Sequence, residues 1–359
     1  MKTFKIDLFS DTNFGPSPEM RKAMCQAEVG NEVAGEDPTV NLLIEEVCHL
    51  LGKEAGVFMP SGTMCNGVAY RAWCQRAGDR IFFDRYAHAA NMAAGLPCGL
   101  VSATPVGIEC EKGIFSAEQL QSAIGEQKGY NIPCERIVSV EQTTNLGGGA
   151  VWSVSDLCAV QQVAKKHRMV VHMDGARLFN AVVATTIPAR EFCRYSDSVW
   201  VDFSKGLGAP MGAVLCGSKD FIDTAWYYKF QQGGTMHQAG ILAGGCLYAL
   251  ENQIERLIDD HDNAKLLAKL LEDNPYIQIN PEDTETNIVI FQLYNTSLTA
   301  YQFTGALADQ GIRLLALSDK KVRAIVHQGI SQDDIHSVSN AIRLLLTDFC
   351  GVHTRQIKK

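Results

Sequence analysis

Seven residues, Ser204-Lys205-Gly206-Leu207-Gly208-Ala209-Pro210, constrain this chain more than any other stretch. They form a polar, glycine-rich hinge between two short apolar runs, Ser198-Val199-Trp200-Val201-Asp202 and Gly212-Ala213-Val214-Leu215-Cys216. Both runs are short and apolar enough to be buried strands. The hinge therefore holds one lysine at the mouth of a core sheet. Desolvation there lowers an amine's pKa and frees it as a nucleophile, which is the chemistry of a Schiff-base lysine. A solvated lysine in a surface turn is the alternative.

A second strand narrows the choice. Met169-Val170-Val171-His172-Met173-Asp174-Gly175-Ala176-Arg177 is an apolar run ending in an acid, a glycine and an arginine. Open α/β sheets bind ligands at the carboxyl ends of their strands. A pyridoxal phosphate site needs a carboxylate there to keep the pyridinium nitrogen protonated, because that proton makes the ring an electron sink. Asp174 is the only acid between Asp156 and Glu191. Its plainer role is a helix cap or a salt bridge with Arg177. A strand-end aspartate followed by a strand-end lysine, in this order, favours the cofactor site.

Other strand ends offer further ligand chemistry. Val57-Phe58-Met59 runs into Pro60-Ser61-Gly62-Thr63 and a predicted helix from Met64 to Arg76. A turn at a helix N-terminus presents free N–H groups to one phosphate, although Ser-Gly-Thr is also ordinary turn chemistry. Neither a dinucleotide fingerprint nor a Walker loop occurs. Ile81-Phe82-Phe83 leads to His88, which either stacks on an aromatic cofactor and moves protons or caps the following helix. Residues 7–18 read as a loop rich in hydroxyls.

Strands and helices alternate through residue 216, the pattern of an α/β fold with a mainly parallel sheet covered on both faces. Asp37-Pro38 starts a helix with Val40, Leu43, Val47 and Leu50 on its apolar face. Gly99–Thr104 and Arg136–Glu141 read as strands, with a helix from Ser116 to about Gln127 between them. Ser153-x-x-Asp156 and Ser331-x-x-Asp334 read as capping boxes. A nearly continuous helix, Ile241 to Leu271, changes face near Asp259-Asp260. A smaller α+β module follows. The division expected is a large domain, 1–250, with the loop 7–18 inside it, and a small C-terminal domain, 251–359.

Composition excludes several classes of function. The chain has 359 residues and a net charge of −8, which argues against nucleic acid or an anionic membrane as the main partner. Its twelve cysteines include no Cys-x-x-Cys pair, so no metal centre is expected, and free thiols in a reducing, cytoplasmic setting are. The first residues lack an apolar signal-type segment, and no membrane-length apolar run occurs.

Taken together, six stretches resemble the threonine aldolase branch of the aromatic amino acid β-eliminating lyase/threonine aldolase family, which has the aspartate-aminotransferase-like fold type I. They are Asp7–Thr12, Gly35–Asn41, Pro60–Thr63, His172–Ala181, Ser204–Pro210 and Gln238–Ala243. The resemblance implies pyridoxal 5′-phosphate held on Lys205, Asp174 at the pyridine nitrogen and His88 stacked on the ring. It implies Gly62 and Thr63 at the phosphate, with Ser204 and Arg177 also in the cofactor site, and Ser10, Arg177 and Arg323 clamping the substrate carboxylate. The implied reaction cleaves a β-hydroxy-α-amino acid to glycine and an aldehyde. A sister elimination, dehydration or racemisation is the nearest rival, and a binding protein that has lost activity is a reading of another class. A homodimer or homotetramer with sites at the dimer interface is implied as well. The chain departs from the family pattern at Thr144 and His237, where a histidine and an arginine are common. It also departs at Phe230, Ala34 and Phe9, where a lysine, a tyrosine and an arginine are usual.

Overall fold

In the computed structural model, residues 4–125 and 129–356 are described, and they divide into two units. One runs from Gly15 to Glu255, and the other joins the residues up to Phe14 to those from Arg256 onward. The larger unit is built on seven strands in the order Ala55–Met59, Ala213–Gly217, Ser198–Asp202, Val170–Gly175, Glu135–Glu141, Arg80–Asp84, Thr104–Ile108. From Ser198–Asp202 to Thr104–Ile108 every pairing is parallel. Ala213–Gly217 is antiparallel to both of its neighbours. Met173, Val199, Val201, Val214 and Leu215 have essentially no exposed surface. Burial of both faces explains why these strands read as continuous apolar runs.

Local chemistry sets the helix bounds. Asp37 caps Pro38–Leu51 by accepting from the Val40 N–H at 3.0 Å, proline occupies the first turn, and Gly52 closes the helix at φ +64°. Helix Gly62–Trp73 begins two residues before the Met64 start expected, with Ser61 as its N-cap, and ends before Arg76. Ser116 and Gln119 form a reciprocal capping box on Ala117–Ile124. The Gln127 end expected for this helix lies outside the described residues. The strand expected over Gly99–Thr104 is instead a helical turn, Leu96–Gly99, and the strand starts at Thr104. Gly95 at φ +73° and Pro97 in the first turn favour that helical start.

Residues 253–256 separate helices Gly240–Asn252 and Leu257–Glu272, so the break falls earlier than the Asp259-Asp260 expected. The smaller unit carries an antiparallel sheet in the order Leu315–Ala316, Lys321–Ile325, Ile288–Leu293, Ile277–Gln278. Helices Leu257–Glu272, Ala300–Asp309 and Gln332–Gln356 complete it, and Phe291, Phe303, Leu307 and Ile335 are buried in its core. Ile6–Asp7 pairs in parallel with Ile312–Arg313, and the Ile325 N–H donates to the Leu8 carbonyl at 2.9 Å. Residues 4–14 therefore cluster with the C-terminal unit, whereas the sequence pattern placed them in the large domain.

Candidate active site

The strand Val170–Gly175 delivers Asp174 to its carboxyl end, and Ser198–Asp202 delivers Asp202 three residues before Lys205. Asp174 is buried, and Asn66 on helix Gly62–Trp73 donates its Nδ2 to Asp174 Oδ2 at 2.8 Å. Asp174 Oδ1 accepts from the Ala176 N–H at 3.1 Å. Two donors fix the direction of this carboxylate and leave lone pairs for a further donor.

Lys205 lies in the closed turn expected. The Gly208 N–H donates to the Lys205 carbonyl at 2.8 Å, and Ala209 N–H donates to the Phe203 carbonyl at 2.9 Å. Lys205 Nζ is 2.9 Å from Asp202 Oδ2 and stands 5.7 Å from the centre of the Trp200 ring. Ser204 donates to Asp202 Oδ1 with both its N–H, at 2.9 Å, and its hydroxyl, at 2.8 Å. Arg177 is buried as the N-cap of Leu178–Thr185, and its N–H donates to the Gln142 carbonyl at 3.1 Å. Gly175, Ala176, Arg177, Asp202, Lys205 and Gly206 line one small cavity.

Gly62 is the first residue of its helix, after the Ser61 cap, and a larger residue there would run into Trp200. A Cβ at that position would lie 2.1 Å from the Trp200 ring. Ser61 and Thr63 are exposed beside it at the N-terminus of a twelve-residue helix, where unpaired N–H groups and the helix dipole favour an anion. His88 opens the short helix His88–Asn91 and is half-buried. Its N–H donates to Glu141 Oε1, and the Asn145 N–H donates to Glu141 Oε2 at 3.1 Å. Burial first, and the neighbouring Asp174 second, push the Glu141 carboxyl up to about 8 against the pull of those N–H donors.

Ser10 and Arg323 belong to the other unit. Ser10 Oγ is 2.8 Å from Thr12 Oγ1, and the buried Arg323 donates from Nη2 to the Phe9 carbonyl at 3.4 Å. Phe9 carries the Arg313 guanidinium 4.0 Å above its ring. Among the other departures, Thr144 is buried, with Oγ1 accepting from the Ala150 N–H at 3.2 Å, while Ala34, Phe230 and His237 are exposed.

Sequence reasoning missed Asn66, Asp202, Glu141 and the buried pair Glu32–Lys229. Asp202 had a usable signal, an acid ending the strand before the lysine turn. Asn66, inside a helix, had none. No group of three or more potential metal ligands occurs among the described residues. Among them, too, no helix is long and apolar enough to cross a membrane.

The mainly parallel sheet with its helices, carrying a strand-end aspartate and a turn lysine, has the fold type I architecture. A family model described as beta-eliminating lyase matches residues 7–293. Low-specificity L-threonine aldolase 1 of Arabidopsis thaliana is 36% identical over 334 residues, covering 92% of this chain and 93% of the relative. The low specificity L-threonine aldolase of Escherichia coli K12 is 38% identical over 267 residues, covering 74% and 79%. The solved structure of Leishmania major threonine aldolase superposes with a TM-score of 0.80 at 17% identity, over 95% of this chain and 99% of that one. The chain belongs to the beta-eliminating lyase family, beside the low-specificity L-threonine aldolases, and is a lyase of the pyridoxal-phosphate-dependent kind.

Proposed function

We propose that this enzyme cleaves a β-hydroxy-α-amino acid of the L-threonine or L-allo-threonine type to glycine and an aldehyde, with pyridoxal 5′-phosphate as cofactor. The observation that carries the proposal is the donor set of the larger unit. Lys205 and Arg177 line one cavity, and the buried Asp174 stands three residues before Arg177, fixed by Asn66. These groups match the cofactor's chemistry: an amine for its aldehyde, a carboxylate for its ring nitrogen and a helix N-terminus for its phosphate. When bound, pyridoxal phosphate supplies the sink for the electron pair released as the Cα–Cβ bond breaks.

The chain's own residues do the rest. Asp174 would hold the proton on the ring nitrogen, and the donors on its two oxygens fix its direction. Gly62 and Thr63 would hold the phosphate through N–H groups, and His88 would cover the ring face. Arg177 is suited to the substrate carboxylate by its fork of donors. Ser10 and Arg323 take the same proposed role from the family resemblance. Ser204 takes its proposed place in the cofactor site from the family resemblance, and its N–H and hydroxyl both bond Asp202.

The test is product analysis with L-threonine and L-allo-threonine. Glycine and acetaldehyde in equal amounts are expected, while ammonia with a keto acid would establish the sister elimination instead. Lys205→Ala should abolish turnover, and borohydride should fix the cofactor to Lys205 in the unaltered protein.

A homodimer or homotetramer is proposed from the family resemblance. Exposed Val33, Phe230 and Ile241 supply apolar surface for such an assembly. Sedimentation showing a fully active monomer would end that proposal. A reducing, cytoplasmic setting is proposed from the free thiols.

A further inference from the structure

Asp202 ends its strand with its side chain only 4% exposed, and its two oxygens do different things. Oδ1 takes both donors of Ser204, which locks the carboxylate in place. Oδ2 is left facing Lys205 Nζ at 2.9 Å. The thiols of Cys65 and Cys246 feel the charge of Asp202, but burial pushes both well above their ordinary range, so they stay neutral. The lysine amine is thus held at the cavity wall by a charge fixed independently of it.

We infer that Asp202 is a positioning residue, the dock that holds the Lys205 amine whenever that amine is not bonded to the cofactor. The inference rests on Lys205 being the cofactor lysine. Attachment joins the amine nitrogen to the aldehyde carbon and expels one water. The substrate's ammonium group later takes that carbon and passes its proton to the departing nitrogen, so Lys205 returns as a free ammonium. A full ammonium-carboxylate pair exists only in the free state, so Asp202 stabilises the free amine relative to the attached one. By linkage it opposes cofactor attachment and favours transfer of the cofactor to the substrate amine. The two effects are equal and opposite because they share one species.

The experiment compares the unaltered protein with Asp202→Asn, which keeps the shape and an oxygen for Ser204 but removes the charge. Absorbance titration gives the affinity of the apoprotein for pyridoxal 5′-phosphate and of the loaded protein for glycine. The expected result is opposite movement: the cofactor binds about tenfold more tightly and glycine about tenfold more weakly, the scale of one hydrogen bond to a charged group. Weakening of both together would reveal a merely structural role, and no change in either would show that Asp202 does not hold the amine. Either result overturns the inference. Borohydride reduction and peptide mapping of the unaltered protein separate this from the functional proposal, because cofactor on a different lysine would sink the latter first. Should Asp202→Asn fail to fold, a crystal structure of the unaltered protein loaded with glycine decides. Lys205 Nζ within about 3 Å of Asp202 supports the dock, and Nζ bonded elsewhere overturns it.

Discussion

Asn66 joins Asp174 to the interior of the sheet: its Nδ2 donates to Asp174 Oδ2 at 2.8 Å, while its Oδ1 accepts from Trp200 Nε1 at 2.7 Å. The same Oδ1 lies 3.0 Å from His172 Nε2, and His172 Nδ1 lies 2.8 Å from Ser198 Oγ. Burial pushes His172 down to about 3, so the ring is neutral. With Asn66 Oδ1 able only to accept, Nε2 carries the ring proton and Ser198 donates to Nδ1. Trp73 Nε1 in turn donates to Ser198 Oγ at 2.9 Å. Every bond from Trp73 to Asp174 therefore points the same way, towards the carboxylate.

Replacing Asn66 with alanine orphans Trp200 Nε1 and His172 Nε2 and removes a donor from Asp174. Each buried unsatisfied group costs about 1–3 kcal/mol. A loss of about 3 kcal/mol or more should appear in urea denaturation, with weaker cofactor retention. An unchanged unfolding midpoint would show that the relay carries no stability.

Glu141 should give the protein a stability that falls with alkalinity. Its folded pKa, about 8, is above the ordinary carboxyl value, so the folded state keeps a proton that the unfolded chain loses. Between pH 4.5 and 8 the folded state therefore holds more protons, and rising pH favours unfolding. His172 opposes this only below about 6.5, where the unfolded histidine gains its proton. Urea midpoints measured from pH 6.5 to 8 isolate the glutamate. A decline approaching 1.4 kcal/mol per pH unit is expected, and Glu141→Gln should flatten it. The same slope in the variant would assign the effect to another group.

Gly62→Ala tests the close approach of helix and sheet. The added methyl would meet the Trp200 ring at 2.1 Å, far inside contact distance. Overpacking of this kind costs about 1–3 kcal/mol, which outweighs the roughly 1 kcal/mol that alanine gains in helix propensity. Displacement of Trp200 also disturbs Asn66, so tryptophan fluorescence should shift along with the drop in Tm. A stabilised variant with the same fluorescence would mean that the helix moves aside freely.

Asp174 stands out in the sequence because it interrupts a continuous apolar run, and Lys205 because its polar turn separates two such runs. The alternation of strands and helices disclosed the parallel sheet for the same reason. What stayed hidden was pairing at long range. Ile6–Asp7 meets Ile312–Arg313 across some three hundred residues, with nothing local to announce it. Asn66 looks like any helix asparagine until the Trp200 and His172 side chains are brought beside it. The misread strand at Gly99–Thr104 is a local failure of another kind. Its apolar residues Leu100 and Val101 suit a helix end as well as a strand, and Pro97 decided for the helix.

Glu32 and Lys229 form the most buried ion pair among those described, with side-chain exposures of 1% and 0%. Glu32 Oε2 also accepts from the Met236 N–H at 3.0 Å, and the Glu32 N–H donates to the His237 carbonyl at 2.9 Å. Lys229 Nζ lies 4.3 Å from the centre of the Trp226 ring, and its carbonyl accepts from the Gly234 N–H at 2.9 Å. The pair thus pins both ends of the glycine-rich loop 233–237. Burial lowers the Lys229 pKa, and Glu32 pulls it back up, so the lysine depends on this partner for its charge. Breaking one half of such a pair costs about 3–5 kcal/mol, whereas replacing both halves by apolar residues can be nearly neutral. Lys229→Met should therefore be strongly destabilising. Glu32→Leu with Lys229→Met should recover most of the loss, short of about 1–3 kcal/mol for the orphaned Met236 N–H. Hydrogen exchange at Met236 separates the two effects: protection should fall in the double variant even where global stability returns. Additive losses from the two single changes would show that the pair is not coupled, and unchanged protection at Met236 would show that Glu32 does not hold the loop.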